Sequence, residues 1–419
     1  MVVAQACNKH GNRQLNGSGE DVELHPPDTA FVIDQAAVTR HSKTVPRILL
    51  ALASVALVLF CIELPALTGM LDYRTVIGPY HMWWAPNVKD PELLAIHRPH
   101  ARQTGEARGG DSSSSYQIPL ADQTQFRWDV TYDRHGFRNR EELQSAGIVV
   151  IGDSFVEGLT VNDGELATSQ LSRLQGKVVA NLGQSTYGPL QELIVFKRYG
   201  LPLHPRAVVW MFFEGNDLQD VIAYRHDVDH LATYWHAVWA RSFTRSAYLT
   251  VKRLIDPPAK PPGVKRSGVL QTADGKPMTA YFMYRSKPLS SEELQAVDQT
   301  VQTLAAVEKL CAAQQMQLIF AFVPTKFRVL HDMCQFPADS ECRAWAPTDL
   351  PERLQSGLRA AAPAIEFLDL TPYLTAAAQQ GELPYYLDDE HWSPAGHTAA
   401  ALAINSHLVS TQRAQGLLR

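Results

Sequence analysis

The chain is poor in cysteine. It has five, Cys7, Cys61, Cys311, Cys334 and Cys342, and none stands in CxxC spacing. That excludes a zinc finger or ribbon, whose thiolates come in closely spaced pairs. Cys334 and Cys342 bracket the stretch CQFPADSEC and could close a small ring in an oxidising compartment, or remain two free thiols. A repeat of fixed period is absent too, which excludes a solenoid. There is no basic tract interleaved with aromatics, and 38 basic side chains face 43 acidic ones, so nucleic acid is not an expected partner. The acidic run Asp388-Asp389-Glu390 has only His391 beside it and no second histidine at ligand spacing, so no metal is expected. Hydrophobic residues make up 45% of the chain, enough for a substantial core.

Long uncharged runs are also scarce, and one stands out. Residues 48–62 read ILLALASVALVLFCI, and only Glu63 interrupts the continuation to Leu71. Arg40, Lys43 and Arg47 precede the run. Length and charge asymmetry predict a single transmembrane anchor over 47–71, a disordered cytoplasmic tail over 1–46, and everything later outside the cytoplasm, in a periplasm. No A-x-A site follows, which argues against a cleaved signal peptide. Residues 72–145 read as a lead segment, with Met82-Trp83-Trp84 near the membrane surface and RQTGEARGGDSSSS (102–115) as a flexible linker.

From about Ala146 the pattern changes. Apolar, β-rich runs at 148–151, 177–182, 207–213, 316–323 and 365–370 alternate with helical patterns at 188–200, 290–314, 350–361 and 394–409. Continuous apolar strands between helices predict a parallel sheet covered on both faces, over a catalytic domain at 146–410. Residues 222–290 break the rhythm and read as an insertion that could cap a site. They carry Tyr224, Tyr234, Trp235, Trp239, Phe243 and Tyr248, whose faces could stack on sugar rings or pack against the domain.

Gly152-Asp153-Ser154 follows the first core strand, Gly215-Asn216-Asp217 the third, and Asp388-Asp389-Glu390-His391 precedes the last helix. Ligands of doubly wound sheets sit at the carboxyl ends of the strands, so the three can meet on one edge. A serine hydroxyl needs a base to take its proton, and His391 is the candidate. Asp388, three residues earlier, is the candidate to hold the other imidazole nitrogen. The Asn216 amide and the Ser154 N–H are candidate donors to a tetrahedral oxyanion. Lys326 reads as a surface lysine at a strand end, with contact to an anionic ligand the alternative.

GDSFVEG, EGND and DDEHWSPAGH, in that order, resemble the blocks of the SGNH (GDSL-type) hydrolases, and GFRN ahead of the serine strand resembles an element of some members. The resemblance spans roughly 147–410. It implies a flavodoxin-like, three-layer α/β/α fold and Ser–His–Asp chemistry without a cofactor, carried by Ser154, Asp388 and His391, with Asn216 in the oxyanion hole. The second block normally supplies a glycine N–H to that hole; here the register places Thr186 there, with Gly183 the alternative. VPTK at 323–326 and His391-Trp392-Ser393 look like alginate O-acetyltransferase relatives. Those place their Asp–His pair before the serine, whereas here it follows. The expectation is an anchored esterase removing acyl groups, acetyl above all, from a cell-envelope carbohydrate. The alternative is an O-acyltransferase served by an acyl-donor membrane protein.

Overall fold

The computed structural model describes residues 35–71, 73–77, 87–231, 238–239, 241–256, 259–271 and 276–414. Met82-Trp83-Trp84, Tyr234 and Trp235 lie outside them, as does most of the tail. The chain forms two compact units, Met1–Ile62 and Glu63–Arg419.

Helix α1 (Gln35–Thr68) begins inside the stretch read as tail. Its part Val45–Thr68 has a mean hydropathy of 2.5, and it is exposed along its apolar stretch, with Ala66 near its end buried. Among the described residues it is the one helix long and apolar enough to cross a membrane. That fits a single-pass anchor, and a signal sequence passes the same test.

The second unit opens with a short helix α2 (Arg74–Ile77) and two hairpins, β1 (Asn87–Asp90) with β2 (Leu94–His97), and β3 (Arg102–Arg108) with β4 (Gln125–Thr131). The expected linker over 102–115 is therefore a strand followed by helix α3 (Asp111–Ser115). Its polar composition misleads because β3 buries little. Alternate residues face solvent, and Gly105 leaves room for the Trp128 indole, which a Cβ there would meet at 2.4 Å.

The core sheet comprises β5 (Ile148–Gly152), β6 (Val179–Gly183), β7 (Ala207–Phe213), β10 (Gln317–Val323) and β12 (Glu366–Asp369). All neighbours are parallel, in the order β12-β10-β7-β5-β6. Every residue of β7 is buried, as a central strand covered on both faces requires. Strand alternation splits the core in two. Ile148, Val150, Val209 and Met211 face one cluster; Val149, Ile151, Val208 and Trp210 face the other. Helices α5 (Ala167–Gln175), α12 (Thr371–Gln379) and α13 (Pro394–Ala414) supply the first. Helices α6 (Pro189–Val195), α7 (Asp217–Leu231), α9 (Ser291–Ala313) and α11 (Leu350–Ala361) supply the second. The fold is a three-layer α/β/α sandwich with flavodoxin-like strand order.

The insertion holds α8 (Phe243–Ile255) and the antiparallel strands β8 (Ser267–Gln271) and β9 (Pro277–Tyr281), and the short β11 (Cys334–Gln335), from beyond the insertion, adds a third strand beside β8. Its described aromatics part company: Tyr224 donates to the Glu92 carbonyl, Phe243 meets the Tyr73 ring edge-on, and Trp239 and Tyr248 are exposed. Cys334 and Cys342 stand as free thiols.

Candidate functional site

The reversal of strand order falls between β5 and β7, the switch point at whose carboxyl ends doubly wound sheets bind ligands. Ser154 begins helix α4 (Ser154–Glu157) directly after β5, and Asn216 precedes α7 directly after β7. The two blocks thus flank the switch point.

His391 Nε2 lies 2.9 Å from Ser154 Oγ. Its Nδ1 lies 2.7 Å from Asp389 Oδ1. Asp388, expected there, is turned away. Its carboxylate accepts from the Gly110 N–H at 3.0 Å, Ser113 Oγ at 2.9 Å, and both the N–H and hydroxyl of Thr124. Asp388 therefore ties the lead segment to the histidine loop, and Asp389 is the carboxylate on the imidazole. The reason is the loop's shape: Asp389 Oδ1 also accepts the His391 N–H at 2.8 Å, a tight turn that curls the i−2 carboxylate onto the ring.

A second carboxylate arrives from α3. Asp111 Oδ2 is 3.4 Å from His391 Nδ1. Burial would lower the His391 pKa, but Asp389, Asp111 and Asp153 override it and hold the ring up to about 10. Burial, reinforced by the Asp389 charge, pushes the Asp111 carboxyl up to about 7. Asp389 is held below its ordinary value: burial opposes this, and the adjoining His391 prevails. Asp111, Asp389 and His391 are also the described side chains close enough together to share a cation. Asp389 already occupies Nδ1 and Ser154 faces Nε2, so the set is arranged for proton transfer.

The loop rests on Lys326 at the start of helix α10 (Lys326–Leu330). Far from being a surface residue, Lys326 is fully buried. Its ammonium donates to the carbonyls of Tyr386 and Leu387 at 3.2 Å and of Asp389 at 2.9 Å, and stands 3.5 Å from Glu390. Glu390 accepts the Met283 N–H, and Tyr281 donates its N–H to the Leu387 carbonyl, so the end of β9 braces the same loop. Tyr284 follows. It packs edge-on against Phe213, and burial with the charges of Asp111, Glu390, Asp153 and Asp220 drives its hydroxyl well above its ordinary pKa. No motif marked Lys326 or Tyr284; only VPTK hinted at the first.

On the oxyanion side, Asn216 Nδ2 donates to Asp220 Oδ2 at 2.7 Å, leaving one amide hydrogen for a ligand. Burial and the Asp153 charge push Asp220 up to about 7. Gly183 is not placed to donate, because its N–H is taken by Asn181 Oδ1 at 3.0 Å. It is glycine for space: a Cβ would come 2.2 Å from the Glu157 nitrogen. Thr186 is exposed and carries φ +69°, the left-handed backbone that glycine adopts at least cost. It is held there from the preceding residue. Ser185 gives its N–H and hydroxyl to Glu157 Oε2 at 2.7 and 2.6 Å. His97 and the Tyr132 hydroxyl meet the other Glu157 oxygen, each at 2.8 Å. Burial would raise the Glu157 carboxyl, but His97 and Ser185 hold it down to about 2. The GFRN element completes the brace. Arg138 donates to the carbonyls of Glu157, Gly158 and Val161, and Asn139 to that of Asn181.

Residues 281–418 match the family described as ALGX: SGNH hydrolase-like domain, acetyltransferase AlgX. Over those residues the chain is SGNH hydrolase-like. The matched residues hold Lys326 and the histidine loop, while Ser154 and Asn216 lie before them. No curated relative matches the chain. Similar solved structures include a GDSL-like lipase from Bacteroides thetaiotaomicron, at 13% identity over 63% of this chain and 88% of that one, with a TM-score of 0.32. An acetyl xylan esterase, AlAXEase, is 11% identical over 62% of this chain and 98% of its own, with a TM-score of 0.33. A carbohydrate esterase family 2 enzyme plus carbohydrate binding domain from Corynascus thermopiles is 12% identical over 70% and 73%, with a TM-score of 0.33. At such values these likenesses decide nothing about the chemistry of this chain.

Proposed function

We propose that the protein is a membrane-anchored serine enzyme that removes acyl groups, acetyl above all, from a cell-envelope carbohydrate. The observation that carries the reading is the unbroken chain of contacts Asp389–His391–Ser154, 2.7 Å and then 2.9 Å. His391 takes the proton as Ser154 Oγ attacks the ester carbonyl, and Asp389 stabilises the imidazolium. The Asn216 amide and the Thr186 N–H receive the oxyanion. His391 then protonates the leaving sugar oxygen, and water releases the acyl group from Ser154.

The match of 281–418 to an acetyltransferase domain favours a second reading, in which a sugar hydroxyl replaces water as acceptor. The steps up to the acyl-serine are shared. The test uses the purified full chain in detergent with acetylated and unacetylated oligosaccharides. Free acetate released whether or not an acceptor is present supports the hydrolase. Acetate moved to the acceptor sugar supports the transferase. Turnover that survives Ser154→Ala would overturn both.

A further inference from the structure

Helix α8 is amphipathic in an unusual way. Its sequence FTRSAYLTVKRLI turns small and polar residues inward: Ser246 is buried, and Thr250 donates to the Ile77 carbonyl at 2.6 Å. Its outer face is apolar. Tyr248, Val251 and Ile255 recur at the spacing of one helical stripe, with Leu254 beside them, and Leu254 and Ile255 are 78% and 79% exposed. Lys252 and Arg253 are exposed on the same last turns. Trp239 and Met70 add exposed apolar surface on the adjoining segments. A water-facing helix would show the opposite pattern.

The position of α8 explains the inversion. Glu63, the one charge within the apolar run, accepts the N–H groups of Phe243 and Thr244 at 3.0 and 2.7 Å, capping the α8 N-terminus. Arg241, just before α8, donates to the carbonyls of Ala66 and Leu67 in the last turn of α1. The start of α8 is thus bonded to the end of the apolar helix, within one compact unit.

We propose that α8 lies in the headgroup region of the membrane that α1 enters, its apolar stripe against acyl chains and Lys252 and Arg253 toward anionic phosphates. The surface is a second membrane contact. It rests on the reading of α1 as membrane-embedded.

The test places photoreactive benzoylphenylalanine at one position at a time in the full chain, in nanodiscs of phosphatidylglycerol and phosphatidylcholine. Leu57 reports on α1, Leu254 on α8, and exposed Glu292 on the aqueous surface. Mass spectrometry after irradiation should find lipid adducts at positions 57 and 254 and none at 292. Adduct at 57 without adduct at 254 would overturn this proposal alone. Loss of adduct at both would overturn the anchor as well. A protein–protein adduct at 254 would assign the face to a second copy and equally overturn it. Lys252→Glu with Arg253→Glu should cut the yield at 254 several-fold in anionic nanodiscs and leave it unchanged in pure phosphatidylcholine; an equal yield in both would remove the role of charge.

Discussion

The ammonium of Lys326, shut off from solvent, holds the backbone carbonyl of Asp389 at 2.9 Å. A charge so buried is stable only with its partners, here three carbonyls and the Glu390 carboxylate. Lys326→Met should therefore leave Glu390 unpaired and cost about 3–5 kcal/mol of stability. Urea unfolding would measure it. Adding Glu390→Gln to Lys326→Met should recover part of the loss. If the double variant is no more stable than the single, the ion pair is not what holds the loop.

The two neighbouring aspartates should separate cleanly. Asp389→Asn misorients the base and should lower kcat by as much as about 10⁴-fold with little change in melting temperature. Asp388→Asn should do the reverse, since it replaces one of the two oxygens that accept from Gly110, Ser113 and Thr124 by an amide NH2. Thermal denaturation beside turnover on one acetyl ester reads both. A drop in kcat confined to Asp388→Asn would return the catalytic role to that residue.

His391 must be neutral to accept the serine proton. Asp389, Asp111 and Asp153 hold its pKa up to about 10 against burial. Activity limited by this group is absent while the ring is protonated and rises as pH climbs toward that value. The acid limb of kcat/KM should thus sit above the ordinary histidine range. Asp111→Asn removes one negative charge facing the ring, so the limb should move to lower pH. An unmoved limb would mean that Asp111 does not act on His391.

Thr186 holds a backbone angle that suits glycine. Thr186→Gly keeps the N–H and relieves the strain, so stability should rise by up to about 1 kcal/mol, with activity within a few-fold. Asn216→Ala removes a donor and should cost about 10²–10³-fold in kcat. Were Thr186→Gly as damaging as Asn216→Ala, the threonine side chain rather than its N–H would be at work.

The sheet was legible because its strands are buried on both faces and read as unbroken apolar runs, with β7 at 207–213 found to the residue. The lead segment was not, because β3 is a two-stranded surface ribbon whose polar residues follow no core. Ser154 and His391 were legible as types in an order. The choice between Asp388 and Asp389 was not, because adjacent carboxylates differ only in where a turn points them. Lys326 misled for a related reason: a lysine is normally solvated, and nothing local announces three carbonyls brought from sixty residues away.

The bonds from Gly110 and Ser113 to Asp388 span 278 and 275 residues. Synthesis delivers Gly110 and Ser113 long before Asp388. The ribbon of β3 and β4 therefore waits, unanchored, until the histidine loop has emerged, and contacts so distant close slowly. A nascent chain halted before Asp388 would have its serine strand but neither its base nor the dock for its lead segment. Closing the Ser154–His391 contact and docking the lead segment therefore depend on the same late-made loop.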